Sequence, residues 1–213
     1  MKSKCIIVGA GTYGQVYAEY LKDFYDIIGY IDDNETLLNS SIKNIKVIGN
    51  RDFLLNKVDK AVSVFVPIGN NVLRVEILKE LKQAGFKTPS FIHPQTVIHK
   101  SVKIGDAVYI LPGTYIMPDT VIENSVMISM GVNIAHHTNI ATGCFFSQGT
   151  NIGASIEIKE YAYHGIASTV MTGVKTIGKN ALIGAGTVII RDVPDFAVVV
   201  GNPGKIIKYN SES

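Results

Sequence analysis

An excess of either charge is missing from this chain of 213 residues: 20 lysines and arginines stand against 18 aspartates and glutamates, a formal net charge of +2. That balance, with no basic run, excludes a nucleic-acid surface. Long apolar runs are missing too. No stretch approaches the ~20 residues that span a bilayer, so no membrane segment is expected. The opening "MKSKCIIVGAG" has a charged tip, but glycine breaks its apolar run too early for a signal peptide, and a cytoplasmic location is expected. Cysteine is scarce: Cys5 and Cys144 make no metal-ligand or redox spacing, which fits a reduced compartment. What is present, 46% hydrophobic and 18% charged, describes a globular chain with ample core.

Two grammars divide the sequence. Residues 1–92 alternate apolar strands ("CIIVGAG", "DIIGYIDD", "KAVSVFVPI") with helical patterns ("GQVYAEYLKD", "NNVLRVEILKELKQAG"). The second helical pattern places Val72, Val75, Leu78 and Leu81 on one face and closes at Gly85. Alternation of this kind implies a parallel sheet with crossover helices, here a half-sized Rossmann-like α/β domain. "GAGTYG" is a G-x-G-x-x-G between strand and helix, with Asp32 following Gly11 at the distance of a ribose-binding acid. Read alone, it is a dinucleotide fingerprint, moderately specific in so short a domain.

From residue 98 the period becomes six. Ile98, Ile104, Ile110, Ile116, Ile122, Ile128, Ile134 and Ile140 are followed by Phe146, Ile152, Ile158, His164 and Val170. After one extra residue in "GVKTIG" the series resumes at Ile177, Ile183 and Ile189. Neither helix nor ordinary strand produces a strict six, whereas a solenoid with a shared interior does. A second inward set lies four residues after each aliphatic: Val102, Val108, Thr114, Thr120, Val126, Val132, Thr138, Cys144, Thr150, Ile156, Ala162, Ser168 and Val174. These are small or β-branched, as a tight corner requires, and Cys144 is core filler within them. His164 takes an inward position and is expected to be a hydrogen-bonded core histidine. His93 and His99 are read as structural.

This repeat resembles the hexapeptide repeat of the left-handed parallel β-helix, whose triangular coil takes three hexads per turn. The implied fold is therefore an α/β half-Rossmann domain (1–92) followed by an all-β left-handed β-helix (93–213). Such proteins usually assemble as homotrimers, and most are acyltransferases using acyl-CoA. "NIAHHTNIATGC" interrupts the repeat with two imidazoles. His136 follows the inward Ile134 by two residues, in an outward phase, and His137 shares its corner, so neither is a core residue.

Taken together, the two halves resemble the bacterial sugar acyltransferase family, across essentially the whole chain. That family includes N-acetyltransferases of UDP- or dTDP-linked 4-amino sugars, GDP-perosamine acetyltransferases and sialic-acid O-acetyltransferases. By this resemblance "IAHHTNI" places His136 at the catalytic histidine, a general base for direct acetyl transfer from acetyl-CoA. The acid that normally follows it is here His137. One coil back from His137 lies Asp119, in "MPDT", which is expected to supply the missing carboxylate. The resemblance further implies that Phe145, Ala154, Ile166 and Ala185 line the CoA channel, and that "GNPGKII" closes the helix near the adenine end. In the first domain the loop resembles the family's G-A-G-G-H-G loop for the nucleotide sugar, with Gly11 retained and Thr12 and Tyr13 in place of its central pair. Asp32 and Asp33 would meet the base or ribose, and Gly69 and Asn70 would bound the pocket. Arg74 is either near that pocket or an exposed helix residue.

The expected function is acetyl transfer to the amine of a nucleotide-linked amino sugar, UDP- or dTDP-4-amino-4,6-dideoxy, for bacterial surface glycans. O-acetylation of a sialic-acid-like sugar is the alternative. A zinc lyase on the same helix needs three convergent histidines, typically with a pair five residues apart, which this chain lacks; no metal is expected. An assembly module without catalysis would retain a nucleotide but bind no CoA.

Overall fold

The computed structural model describes residues 2–211. Two compact units divide the chain, Met1–Pro89 and Ser90–Ser213.

The first unit runs β1 (Ser3–Val8), α1 (Thr12–Leu21), β2 (Tyr25–Ile31), β3 (Ser41–Ile42), β4 (Ile45–Gly49), α2 (Arg51–Lys57), β5 (Ser63–Phe65) and α3 (Asn71–Gln83). Its sheet order is β3-β4-β2-β1-β5, parallel except for the β3/β4 hairpin. Cys5, Ile6, Ile7, Tyr30, Ile31, Val64 and Phe65 are fully buried, the continuous apolar signature of a sheet covered on both faces. Strand order reverses around β1, which opens a crevice at the carboxyl ends of the strands.

α3 buries Asn71, Arg74, Ile77, Leu78 and Leu81, while Val72 and Val75 are only half-buried, so its inner face is rotated from the expected one. Arg74 makes the difference. Fully buried, it donates from Nη1 to Ile68 O (2.7 Å) and from Nη2 to Asn71 Oδ1 (3.0 Å). Gly85 closes the helix with φ 84°, as anticipated, and Phe86 N donates to Leu81 O. The hairpin and α2 carry too few periodic residues to be read in advance.

The second unit is the sixfold solenoid. Its two-residue strands form three parallel faces. The first holds Val97–Ile98, Tyr115–Ile116, Asn133–Ile134, Asn151–Ile152, Thr169–Val170 and Val188–Ile189. The second runs from Lys103–Ile104 to Thr176–Ile177, and the third from Phe91–Ile92 to Leu182–Ile183, extended by Ala197–Val200 and Lys205–Tyr209. Phe91 and Ile92 pair with Tyr109 and Ile110, so the first coil begins ahead of residue 93.

Both inward sets are realised. Isoleucines 110 to 189 are buried, as are the small residues from Val108 to Val174. Each fully buried isoleucine contributes roughly 1.5–3 kcal/mol. Register between coils is 18 residues until the extra residue near Gly173, after which Glu157 pairs with Thr176. Every sixth residue turns the chain with positive φ: Ala107, Gly113, Asp119, Ser125, Gly131, His137, Gly143, Gly149, Ser155, Tyr161, Ala167 and Gly173. Glycine, or a residue that tolerates the left-handed region, is demanded there.

His164 is buried and stacks on Phe146, with ring centroids 4.8 Å apart. The expected hydrogen bonds are absent: both ring nitrogens lack a partner, as do Ser168 Oγ and Thr187 Oγ1. Burial pushes the imidazole pKa down to about 3, so it is neutral. No helix among the described residues is long and apolar enough to cross a membrane.

Candidate active site

In the first unit a cleft of about 370 Å³ opens at the strand ends, lined by Gly9, Gly11, Thr12, Tyr13, Asp32, Asp33, Arg51, Ile68 and Gly69, among others. The glycines divide the labour. A Cβ on Gly14 would sit 1.8 Å from Gly9 O, so this glycine lets α1 approach β1. Gly11 has φ −68° and nothing within 4 Å of a built Cβ, so the fold does not require glycine there. Gly11 is also the N-cap of α1 and offers no side-chain cap, and the first turn holds no acid. The positive end of the helix is therefore left without a side-chain cap or a neighbouring acid of its own.

The acidic pair is engaged internally. Asp32 accepts from Ala10 N (2.8 Å) and Asn34 N (2.9 Å), which braces the glycine loop. Asp33 accepts from the backbone N and Nε of Arg51. Tyr13 lies against Gly69, within 3.5 Å of a built Cβ. Two expectations need correction. Asn70 is the N-cap of α3, its Oδ1 accepting from Leu73 N, and it does not line the cleft. Arg74 is not the exposed helix residue that was one of its two readings: Asn71 and the carbonyl of Ile68, a residue that lines the cleft, hold it buried behind the wall. Arg51 was missed. One of three arginines in the chain, it opens α2, where the helix dipole disfavours a cation. That misfit between residue and position was the available signal.

In the second unit, the corner between first and second faces carries the histidines. Asp119 (φ 59°) and His137 (φ 58°) hold the same left-handed position on successive coils. Pairing of Ile116 with Ile134 and Val121 with Asn139 brackets them. His136 and His137 meet Nδ1 to Nδ1 at 2.9 Å, rings perpendicular. His137 Nε2 lies 3.6 Å from Asp119 Oδ2, an ion-pair separation and too long for a hydrogen bond. Both side chains are more than half exposed, so the pair as it stands contributes at most about 1 kcal/mol. Nε2 of His136 has no partner among the described residues, and the ring is exposed. Ala154 lies one coil beyond His136, where Ser155 N donates to His136 O.

The remaining sites lie elsewhere on the solenoid. Ile166 and Ala185 are exposed and stacked on successive coils at the corner between third and first faces, across the first face from His136. Phe145 is on the third face, 1% exposed and stacked on Tyr163 at 5.1 Å. Its phase pointed outward, but Tyr109, Met127 and Phe145 on that face are all buried, and Phe145 offers no open surface to a cofactor.

Such a coil, with an exposed histidine at its corner, defines the class of hexapeptide-repeat left-handed β-helix proteins. Comparison agrees. Residues 4–81 match the PglD N-terminal domain family. The acetyltransferase domain of PglB from Neisseria gonorrhoeae is similar at 27% identity and TM-score 0.90, covering 97% of this chain and 100% of that one. PerB from Caulobacter crescentus, solved with CoA and GDP-perosamine, is 27% identical with TM-score 0.89 and 98% of both chains covered. A dTDP-3-amino-3,6-dideoxy-alpha-D-galactopyranose 3-N-acetyltransferase of Aneurinibacillus thermoaerophilus is 42% identical over 52 residues, 24% of this chain and 27% of that enzyme. The matched segments span 17% to 33% of the length of such curated relatives. Over nearly its whole length the chain is therefore similar to bacterial sugar acyltransferases.

Proposed function

We propose that this protein transfers the acetyl group of acetyl-CoA directly to the amine of a nucleotide-linked amino sugar, UDP- or dTDP-linked, with His136 as general base. The observation that carries the reading is the exposed, unpartnered Nε2 of His136 on a rigid coil. The neutral amine attacks the thioester carbonyl and forms the C–N bond. The C–S bond breaks with its electron pair moving to sulfur. His136 takes the amine proton and passes it to the leaving thiolate. The step needs no metal and no acyl-enzyme.

The cleft at the glycine loop holds the nucleotide: the first turn of α1 meets the diphosphate, and Arg51, Asp33 and Tyr13 face the rest. Relatives that carry dTDP- or GDP-amino sugars in their names support this choice over a free sialic-acid-like acceptor. His136 and the pair Ile166/Ala185 sit on opposite edges of the first face, so one protomer does not gather them. Prisms packed side by side as a homotrimer would bring the base of one protomer to the cofactor edge of the next. Exposed Tyr115, Met117 and Met171 on that face supply apolar area for the contact. Acetyl-CoA dependence puts the enzyme in the cytoplasm, feeding surface-glycan synthesis.

Thiol release from acetyl-CoA, measured across UDP-, dTDP- and GDP-amino sugars and free sialic acid, tests the reading. An amino sugar nucleotide should be acetylated, and His136→Ala should lower turnover roughly 100-fold or more. Release only with the free sugar, or full activity in His136→Ala, would overturn it.

A further inference from the structure

Within the proposed reaction, His136 lacks the adjacent carboxylate that would orient it and balance its charge, because an imidazole stands in that place. We infer that His137 is a positioning residue that relays Asp119 across one coil of the solenoid to His136, and so fixes the tautomer that leaves Nε2 of His136 free to accept a proton. This rests on the acetyl-transfer reading only for its kinetic consequences; the tautomer is a property of the corner itself.

The contact of the two Nδ1 atoms at 2.9 Å selects the arrangement. A hydrogen bond between them requires one nitrogen to donate and the other to accept. If His137 donated, its neutral ring would turn a lone pair on Nε2 toward the Asp119 carboxylate 3.6 Å away, placing two electron-rich atoms face to face. If His136 donates, His137 carries its proton on Nε2, where the carboxylate attracts it. Of the two neutral arrangements, only the second is electrostatically consistent. It leaves Nε2 of His136 as an exposed lone pair. When that nitrogen takes a proton, the positive charge is shared along the pair toward Asp119, as a second imidazole alone could not do.

The backbone that carries the carboxylate is braced at this corner. Asp119 N donates to Ser101 Oγ at 2.8 Å, and Ser101 Oγ lies 2.9 Å from His99 Nδ1. Corner positions on successive coils run Ser101, Asp119, His137, Ser155 in one column and Lys100, Pro118, His136, Ala154 in the next. Asp119 is the one acid in these columns. Lys100 and His99 are the other ionisable groups there, with Glu157 beginning the adjoining strand. No other carboxylate at the corner can do the work of Asp119.

Long-range ¹H–¹⁵N spectra of the labelled full chain read the tautomers without any turnover. His136 should appear as the Nδ1–H form and His137 as the Nε2–H form; the reverse pattern overturns the relay. In kinetics, His137→Asn and Asp119→Asn should each lower kcat roughly 10- to 100-fold, with the KM of both substrates little changed. His137→Asp in the Asp119→Asn background should recover most of the loss, because it puts a carboxylate beside His136 at a corner whose φ suits aspartate. Wild-type kcat in both single variants, or no recovery in the double variant while its melting temperature is unchanged, overturns the relay. If wild-type protein acetylates nothing, the acetyl-transfer reading fails and the spectra alone decide the relay.

Discussion

Asp119 and His137 are 18 residues apart in the chain and equivalent in the coil, each turning the same corner with φ near 60°. Separation by a whole coil is no obstacle to partnership in a solenoid, since residues one turn apart lie at strand spacing, about 4.8 Å. The carboxylate that a histidine needs can thus come from the preceding turn as readily as from the next residue. Both positions must also satisfy the left-handed backbone, which histidine and aspartate tolerate better than branched residues.

His137→Gly separates corner geometry from chemistry. Glycine relieves a left-handed strain of about 1–2 kcal/mol, partly offset by its greater freedom when unfolded. The melting temperature should stay level or rise, while kcat falls at least about 10-fold. A drop of several degrees would show His137 to be structural.

Gly11 and Gly14 should behave oppositely to alanine. Gly14→Ala forces a methyl into Gly9 O and should give insoluble or unfolded protein. Gly11→Ala meets nothing in the protein and loses little stability, about 1 kcal/mol or less at a helix N-cap. Its methyl projects where the nucleotide would lie, so KM for the sugar nucleotide should rise about 10-fold, or 1.4 kcal/mol, with KM for acetyl-CoA unchanged. Circular dichroism and initial rates decide both cases; equal KM values for the nucleotide would empty the cleft of its proposed role.

His164 makes stability fall in acid. The folded state holds the ring neutral, with a pKa of about 3 against the ordinary 6.5 of a free imidazole. The unfolded chain therefore binds the extra proton as pH drops below about 6.5. This contribution to stability is complete above that value and erodes as pH falls toward 3, at up to about 1.4 kcal/mol per pH unit. His164→Ile restores the hexad residue and removes two unmet polar atoms, leaving Ser168 Oγ and Thr187 Oγ1 among the described residues of the prism. Thermal melts at pH 7 and pH 4.5 should show a gain for the variant at both, larger at pH 4.5. An equal gain at both values would remove the titration from the account.

Period carried the sequence reading, and partners limited it. The isoleucine beat placed every inward residue and turned His136 outward, because a sixfold repeat fixes which way each side chain points. The same beat set Asp119 beside His137. It did not place Arg74 or Asn70, since whether a polar helix residue faces a ligand or the core depends on acceptors such as Ile68 O that local sequence does not announce. Arg51 was overlooked for the converse reason: its partner, Asp33, follows a different strand, and only the misfit of a cation at a helix start hinted at it. Phe145 was placed by the family resemblance, and neither resemblance nor phase says that its face of the prism is covered.

Subunit sharing makes the sharpest prediction. His136 and Ala185 lie on opposite edges of the first face, so a site that uses both must draw them from two protomers. His136→Ala removes the base, and Ala185→Trp, at an exposed edge, blocks the cofactor path without disturbing the core. Each variant alone should be inactive. Mixed trimers assembled from equal amounts contain interfaces in which the intact His136 of one protomer faces the intact Ala185 of the next. Random assortment makes about a quarter of the interfaces intact, so about a quarter of wild-type activity should return after co-refolding or co-expression. A site contained in one protomer gives no such recovery, whatever the mixture. Recovery therefore requires both the trimer and the shared site, and its absence in a chain that sediments as a trimer would confine base and cofactor to a single prism.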